Sequence, residues 1–120
     1  MASHGHYLER MRAQLLREIG WTIANRVRDP RVPMIVSATD MDLARDTRNA
    51  TVYVNVFGDD EKAKQAAVEA LNHAAPFIQN VVADRVSVRH FPRLLFKLDN
   101  SIERGAHIEE LLREVQDDLV

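Results

Sequence analysis

Cysteine is absent from the chain. Disulfides and thiolate zinc sites are thereby excluded, and the composition is that expected of a reducing compartment such as the cytoplasm. Glycine is scarce, with only Gly5, Gly20, Gly58 and Gly105, and these four form neither a glycine-rich phosphate loop nor a GxxG clamp. No apolar run approaches the ~18 residues of a membrane helix. The N-terminus lacks the apolar stretch of a signal peptide. An excess of positive charge is missing too: 16 Lys and Arg face 18 Asp and Glu, for a net charge of -2. A diffuse positive field therefore cannot carry nucleic-acid binding, which would need a segregated basic face. No internal repeat or low-complexity linker is visible.

What remains suits one folded domain. The chain has 120 residues, 46% hydrophobic and 28% charged, enough apolar surface for a single core. From about Tyr7 to Arg28, Leu8, Met11, Leu15, Ile19 and Ile23 recur at helical spacing, and Asp29-Pro30 stops the helix. Residues 1–6, with His4 and His6, are expected to be a flexible terminus preceding a domain over 7–120. On the other side of the helix Arg10, Arg17, Trp21 and Arg28 project within ~40° of one another at ~100° per residue. Two readings stand: an indole packed on another element under arginine stems, or a contact face where arginine meets phosphate and the indole stacks on a base.

Residues 33–43 and 49–57 read as strands. In the first, Ile35, Ser37, Thr39, Met41 and Leu43 share one face and Met34, Val36, Ala38, Asp40 and Asp42 the other. In the second, Ala50, Val52, Val54 and Val56 alternate with polar residues. The linker 44–48 makes an antiparallel hairpin with Arg45 and Arg48 at its tip. Asp59 or Asp60 caps a helix with an inner face of Ala63, Ala66, Ala67, Ala70, Leu71 and Ala74, while Val68, Glu69 and Asn72 point elsewhere. Pro76 should end that helix near Ala75 and open a short second one to about Asp84, anchored by Phe77, Ile78, Val81 and Val82. A third strand is expected over 86–98, with Val88, His90, Leu94, Phe96 and Leu98 on one face and Pro92 marking an edge or bulge. Asp99-Asn100-Ser101 caps a last helix with a stripe of Ile108, Leu111, Leu112, Val115 and Leu119. The order predicts a small α+β domain with a three-stranded sheet and helices on one face.

Catalytic chemistry finds little support. Asp40, Asp42 and Asp46 alone do not make a magnesium site. His73, His90 and His107 lack zinc-ligand spacing, and no Gly-x-Ser-x-Gly nucleophile motif occurs. The expectation is a non-enzyme with no cofactor, metal, membrane contact or small-molecule substrate.

Several stretches, in order, resemble the bacterial ribosome-binding factor A family: Arg28-Asp29-Pro30-Arg31; Arg45-Asp46 and then Ala50-Thr51-Val52-Tyr53-Val54; Ala74-Ala75-Pro76-Phe77-Ile78; Arg89, Pro92, Leu94 and Phe96; and Asp99-Asn100-Ser101-Ile102-Glu103-Arg104-Gly105. The resemblance spans about Tyr7 to Val115. It implies a type II KH-like fold in which a helix-kink-helix replaces the usual clamp loop, the kink here being Ala74, Ala75 and Pro76, with proline where the family motif Ala-x-Gly has glycine. It also implies a cytoplasmic assembly factor, associated with cold adaptation, that binds the small (30S) ribosomal subunit in late maturation and aids 16S rRNA processing. Its partners would be 16S rRNA and ribosomal proteins, and the free protein is expected to be a monomer. Candidate RNA-binding residues are Arg26, Arg28, Arg31, Arg45, Arg48, Arg85, Arg89, Arg93 and Lys97, with acidic Glu109, Glu110, Glu114, Asp117 and Asp118 gathered elsewhere. The rival is a protein-protein module using the Trp21 face or an edge strand.

Overall fold

The computed structural model describes residues 3–33, 36–58, 60–100 and 112–113. The expected C-terminal helix and its acidic residues lie outside that set, apart from Leu112 and Arg113, which are helical and exposed. Met34, Ile35 and Asp59 also lie outside it. Five elements follow in order: α1 (Ser3–Arg26), β1 (Val36–Leu43), β2 (Asn49–Val56), α2 (Glu61–Ala83) and β3 (Arg93–Leu98). Among the described residues no helix is long and apolar enough to cross a membrane.

Alternation in β2 builds the floor of the core. Ala50, Val52, Val54 and Val56 are all buried, whereas Thr51, Tyr53 and Asn55 turn to the opposite face of the sheet. β1 pairs antiparallel with β2, and β3 pairs parallel with it, so the sheet order is β1-β2-β3. A parallel neighbour requires a crossover, which α2 supplies. Both helices cover the same side: α1 lies over β1, and α2 over β3. Met11, Leu15, Ile19 and Ile23 of α1 meet Leu71, Ile78 and Val82 of α2 and Phe96 of β3 in one buried cluster. Full burial of each large apolar side chain contributes about 1.5–3 kcal/mol. The result is the expected α+β sandwich with its helices on one face.

Four local readings are corrected. First, α1 starts at Ser3 rather than near Tyr7 and ends at Arg26, so Arg28 is not on the helix. Second, β1 does not alternate strictly. Its register slips between Ala38 and Asp40, and this bulge returns Val36 and Ala38 to the side of Met41 and Leu43, all of them in or packed against the core. Third, α2 runs without interruption through Pro76. Leu71, Ala75, Ile78 and Val82, on both sides of the proline, are buried on one face, and that shared burial outweighs the local penalty of ~3 kcal/mol. Pro76 itself is exposed. Val68, expected to point away, is also buried. Fourth, β3 begins at Arg93. Pro92 is fully buried immediately before it, where its missing N–H deprives no ladder bond, and residues 84–91 are turn and loop.

The helix α2 is capped by Asp60, whose carboxylate accepts from the backbone N–H groups of Lys62 and Ala63. Gly58, at φ 133, makes the preceding corner in a region that side chains resist. The outer edge of β3 is closed by a single side chain. The Asn72 amide donates to the Phe96 carbonyl at 3.0 Å and accepts from the Phe96 N–H at 2.8 Å. It thus stands in for a fourth strand at the centre of β3. Replacing Asn72 with Ala leaves both Phe96 groups unpaired, which costs about 1–3 kcal/mol. Urea unfolding of Asn72→Ala is expected to show a lower midpoint at unchanged slope, and an unchanged midpoint would deny the bonds any net contribution.

Candidate nucleic-acid interface

Parallel pairing brings the start of β3 to the hairpin tip. The Arg93 N–H donates to the Arg48 carbonyl at 2.8 Å. The hairpin itself is closed by local bonds. Ala44 donates to the Asn49 carbonyl, and Thr47, at φ 60, to that of Ala44. The Asp46 carboxylate accepts from the Arg48 N–H at 3.0 Å. These fix the loop backbone and leave the side chains of Arg45 and Arg48 exposed. A shallow groove at this end is lined by Arg48, Gln79, His90, Phe91 and Arg93. Two guanidinium groups, an imidazole and an aromatic ring, drawn from two separated segments, therefore share one concavity with no carboxylate in its lining. Arg89 precedes His90 in the same loop and is exposed. Arg93 and Lys97 continue along the open face of the sheet, beside Asn49 and Tyr53 in the β2 register.

A second basic group stands at the exit of α1. Arg26 lies over the Phe77 ring, 6.0 Å from its centroid, and Phe77 is 43% exposed beside Pro76. The kink residues thus divide: Ala75 is buried, Ala74 partly so, and Pro76 faces outward. Arg31 is held by Asp29 through both guanidinium and backbone N–H bonds. Those bonds from Arg31 hold the Asp29 carboxyl below the usual carboxylate range and raise Arg31 in turn. Arg31 lines a recess with Phe57, Gly58 and Asp60, at the end of β2 away from the hairpin. The eight residues of β2 separate that recess from the hairpin, about 26 Å at ~3.3 Å per residue.

Arg85 belongs to neither group. Its guanidinium stacks on Trp21, 3.9 Å from the ring centroid, and its Nε–H donates to the Glu18 carboxylate. The indole is therefore packed under an arginine, but one from the turn after α2, while Arg10 and Arg17 remain exposed on α1. Arg12 is similarly engaged, bonded to Glu9 and to Asp40. Asp42 accepts from the Tyr53 hydroxyl at 3.1 Å, so both members of the Asp-x-Asp pair have structural partners. Among the described residues no three His, Asp or Glu side chains gather into a metal-binding group. Sequence reasoning missed His90 and Phe91 as groove residues, because a loop at 84–91 was not foreseen, and Gln79, because nothing local tells which strand end α2 packs against. The adjacency of His90 to Arg89 and Arg93 was the one available signal.

Comparison with known proteins agrees with this architecture. A family model described as ribosome-binding factor A matches residues 7–112. A protein of that name from Clostridium botulinum (strain Loch Maree / Type A3) is 40% identical over 108 residues, covering 90% of this chain and 89% of the relative. The crystal structure of ribosome-binding factor A from Thermus thermophilus superposes with a TM-score of 0.66 at 29% identity, covering 75% of this chain and 92% of the other. A Thermus thermophilus homology model of the same factor, fitted into the cryo-EM map of a complex with 30S, gives a TM-score of 0.62 at 28% identity, over 76% and 93% of the two chains.

Glu9 and Asp29 both have folded-state values lowered by hydrogen bonds, from Arg12 and Arg31 respectively. Lowered carboxylates bind fewer protons folded than unfolded, so their contribution is present above the ordinary carboxylate range and lost as pH falls through the lowered values. The pair Arg12→Gln and Arg31→Gln is expected to reduce the loss of stability between neutral and acid pH, measured by urea unfolding at each pH. An unchanged difference would remove both ion pairs from the acid response.

Proposed function

The chain belongs to the ribosome-binding factor A family, and from that membership we propose that it binds the small ribosomal subunit during late maturation through direct contact with 16S rRNA. The observation that carries the RNA contact is the groove at the hairpin end, which Arg48, Arg93 and His90 line together with Phe91. A groove with no carboxylate in its lining, in a chain of net negative charge, supports a segregated basic face at this end. Arg45, Arg89 and Lys97 extend it. Arg26 and Arg28 at the exit of α1 offer a second contact, while Arg31 and Arg85 are already engaged by Asp29 and Glu18.

Two separated cationic patches suit recognition by shape. Phosphates at the right spacing satisfy both at once, and each contact releases condensed counterions. Phe91 offers an aromatic surface to an unpaired base. No bond to the RNA need be made or broken. A protein that binds one rRNA conformer more tightly than another shifts the population toward it by that difference in affinity. Such a bias would favour completion of 16S rRNA processing, and it would matter most in the cold, where misfolded RNA helices open slowly. Residues 7–120 would act as one binding domain, monomeric when free, in the cytoplasm.

Co-sedimentation with small subunits from cells lacking the protein, across a salt series, tests the reading. Arg48→Glu with Arg93→Glu is expected to weaken binding at least about tenfold and to reduce the slope of log K against log salt by about 1 per lost contact. Arg31→Glu, whose parent charge is matched by Asp29, should change it less. A flat slope in the parent protein, or intact binding by the double variant, would overturn the proposal.

A further inference from the structure

A groove between α1 and β1 takes no part in the basic patches. Its walls are Leu16, Arg17 and Trp21 of the helix and Val36, Ser37 and Ala38 of the strand. At Gly20 the two elements lie close, since a side-chain carbon there would stand 3.8 Å from the Ala38 methyl. The lining is largely apolar, and Trp21 stays 38% exposed in it although it is the only tryptophan of the chain.

Three features define the occupant. β1 is an outermost strand, so one side of its backbone has no strand partner among the described residues. Such an edge pairs with an extended polypeptide, and alternate side chains of the added strand fall into the adjoining groove. The lining carries two arginines and no carboxylate. Arg12 is matched by Glu9 and Asp40, and Arg85 beside Trp21 by Glu18, which leaves the charge of Arg17 at the rim without a carboxylate partner among the described residues. One face of the indole is already covered by Arg85, whose charge Glu18 matches, so no open cation stands over that face for the phosphate of a stacked nucleotide. We propose that this groove docks an extended acidic segment of a partner protein, by strand addition to β1 at Val36–Ala38 with one apolar side chain seated against Trp21 and Leu16. The bulge after Ala38 ends the addition, because the edge changes register there.

The intact chain is to be panned against displayed random nonapeptides, and the selected sequences synthesised. Expected are peptides that place acidic residues beside an apolar anchor, shift Trp21 emission and slow amide exchange at Val36–Ala38. Arg17→Glu should weaken them about tenfold, whereas Arg48→Glu with Arg93→Glu should leave them unchanged, which separates this surface from the RNA-binding reading. The proposal is overturned if no selected peptide perturbs both Trp21 and β1. It is also overturned if a uridine-rich single-stranded RNA decamer shifts Trp21 emission and the selected peptides do not.

Discussion

The parallel pairing of β2 with β3 is the constraint on which the arrangement of charge depends. Parallel neighbours need a long crossover, and α2 is that crossover because its apolar face, from Ala67 to Val82, can be buried against β3 and α1. The pairing sets Arg93 beside Asn49 and ties its N–H to the Arg48 carbonyl. A hairpin tip and the entrance of a later strand become one basic corner. Had β3 run antiparallel to β2, Arg93 would stand at the far end of the sheet.

Charge in this molecule is sorted by pairing as much as by placement. Arg12, Arg31 and Arg85 each have a carboxylate partner within the fold. Such partly exposed pairs contribute little stability. Their consequence is electrostatic: they withdraw three cations from long-range interaction with an anion and leave the hairpin end and the α1 exit as the basic regions. The same pairing delimits the α1–β1 groove, whose remaining cation is Arg17. Both surfaces flank elements packed over one core. The edges of the sheet also differ in kind, since Asn72 bonds the outside of β3 at Phe96 while β1 has no strand partner on its outer side among the described residues.

Much of the fold was legible in local pattern. The α1 stripe of Met11, Leu15, Ile19 and Ile23 and the β2 alternation of Ala50 to Val56 are buried as their periods require. The misreadings occur where a local rule met a tertiary one. Pro76 signals a break, yet apolar residues on both sides of it share a buried face and the helix persists. Strict alternation in β1 fails at a bulge, which no period reveals. Val86 and Val88 suggested strand, but Val86 is buried as part of a turn that closes α2, through its N–H bond to the Val82 carbonyl. Of the site, Arg48 and Arg93 could be named from sequence as cations at the hairpin tip and along the third strand, whereas Gln79, His90 and Phe91 could not, because only the packing of α2 and the loop before β3 brings them to the same groove.

By itself the sequence determined the element types, the buried faces of α1 and β2, the lack of thiol chemistry and the family. These follow from composition and from periods of two and 3.6 residues, which act over a few neighbours along the chain. Only the tertiary structure decided which cations are free and which are matched. The partners of Trp21 and Glu18 at Arg85 lie more than sixty residues away, and that distance closes only when α2 has crossed the sheet. Local spacing carries no record of such meetings, because they depend on how the buried faces stack and not on how the residues alternate.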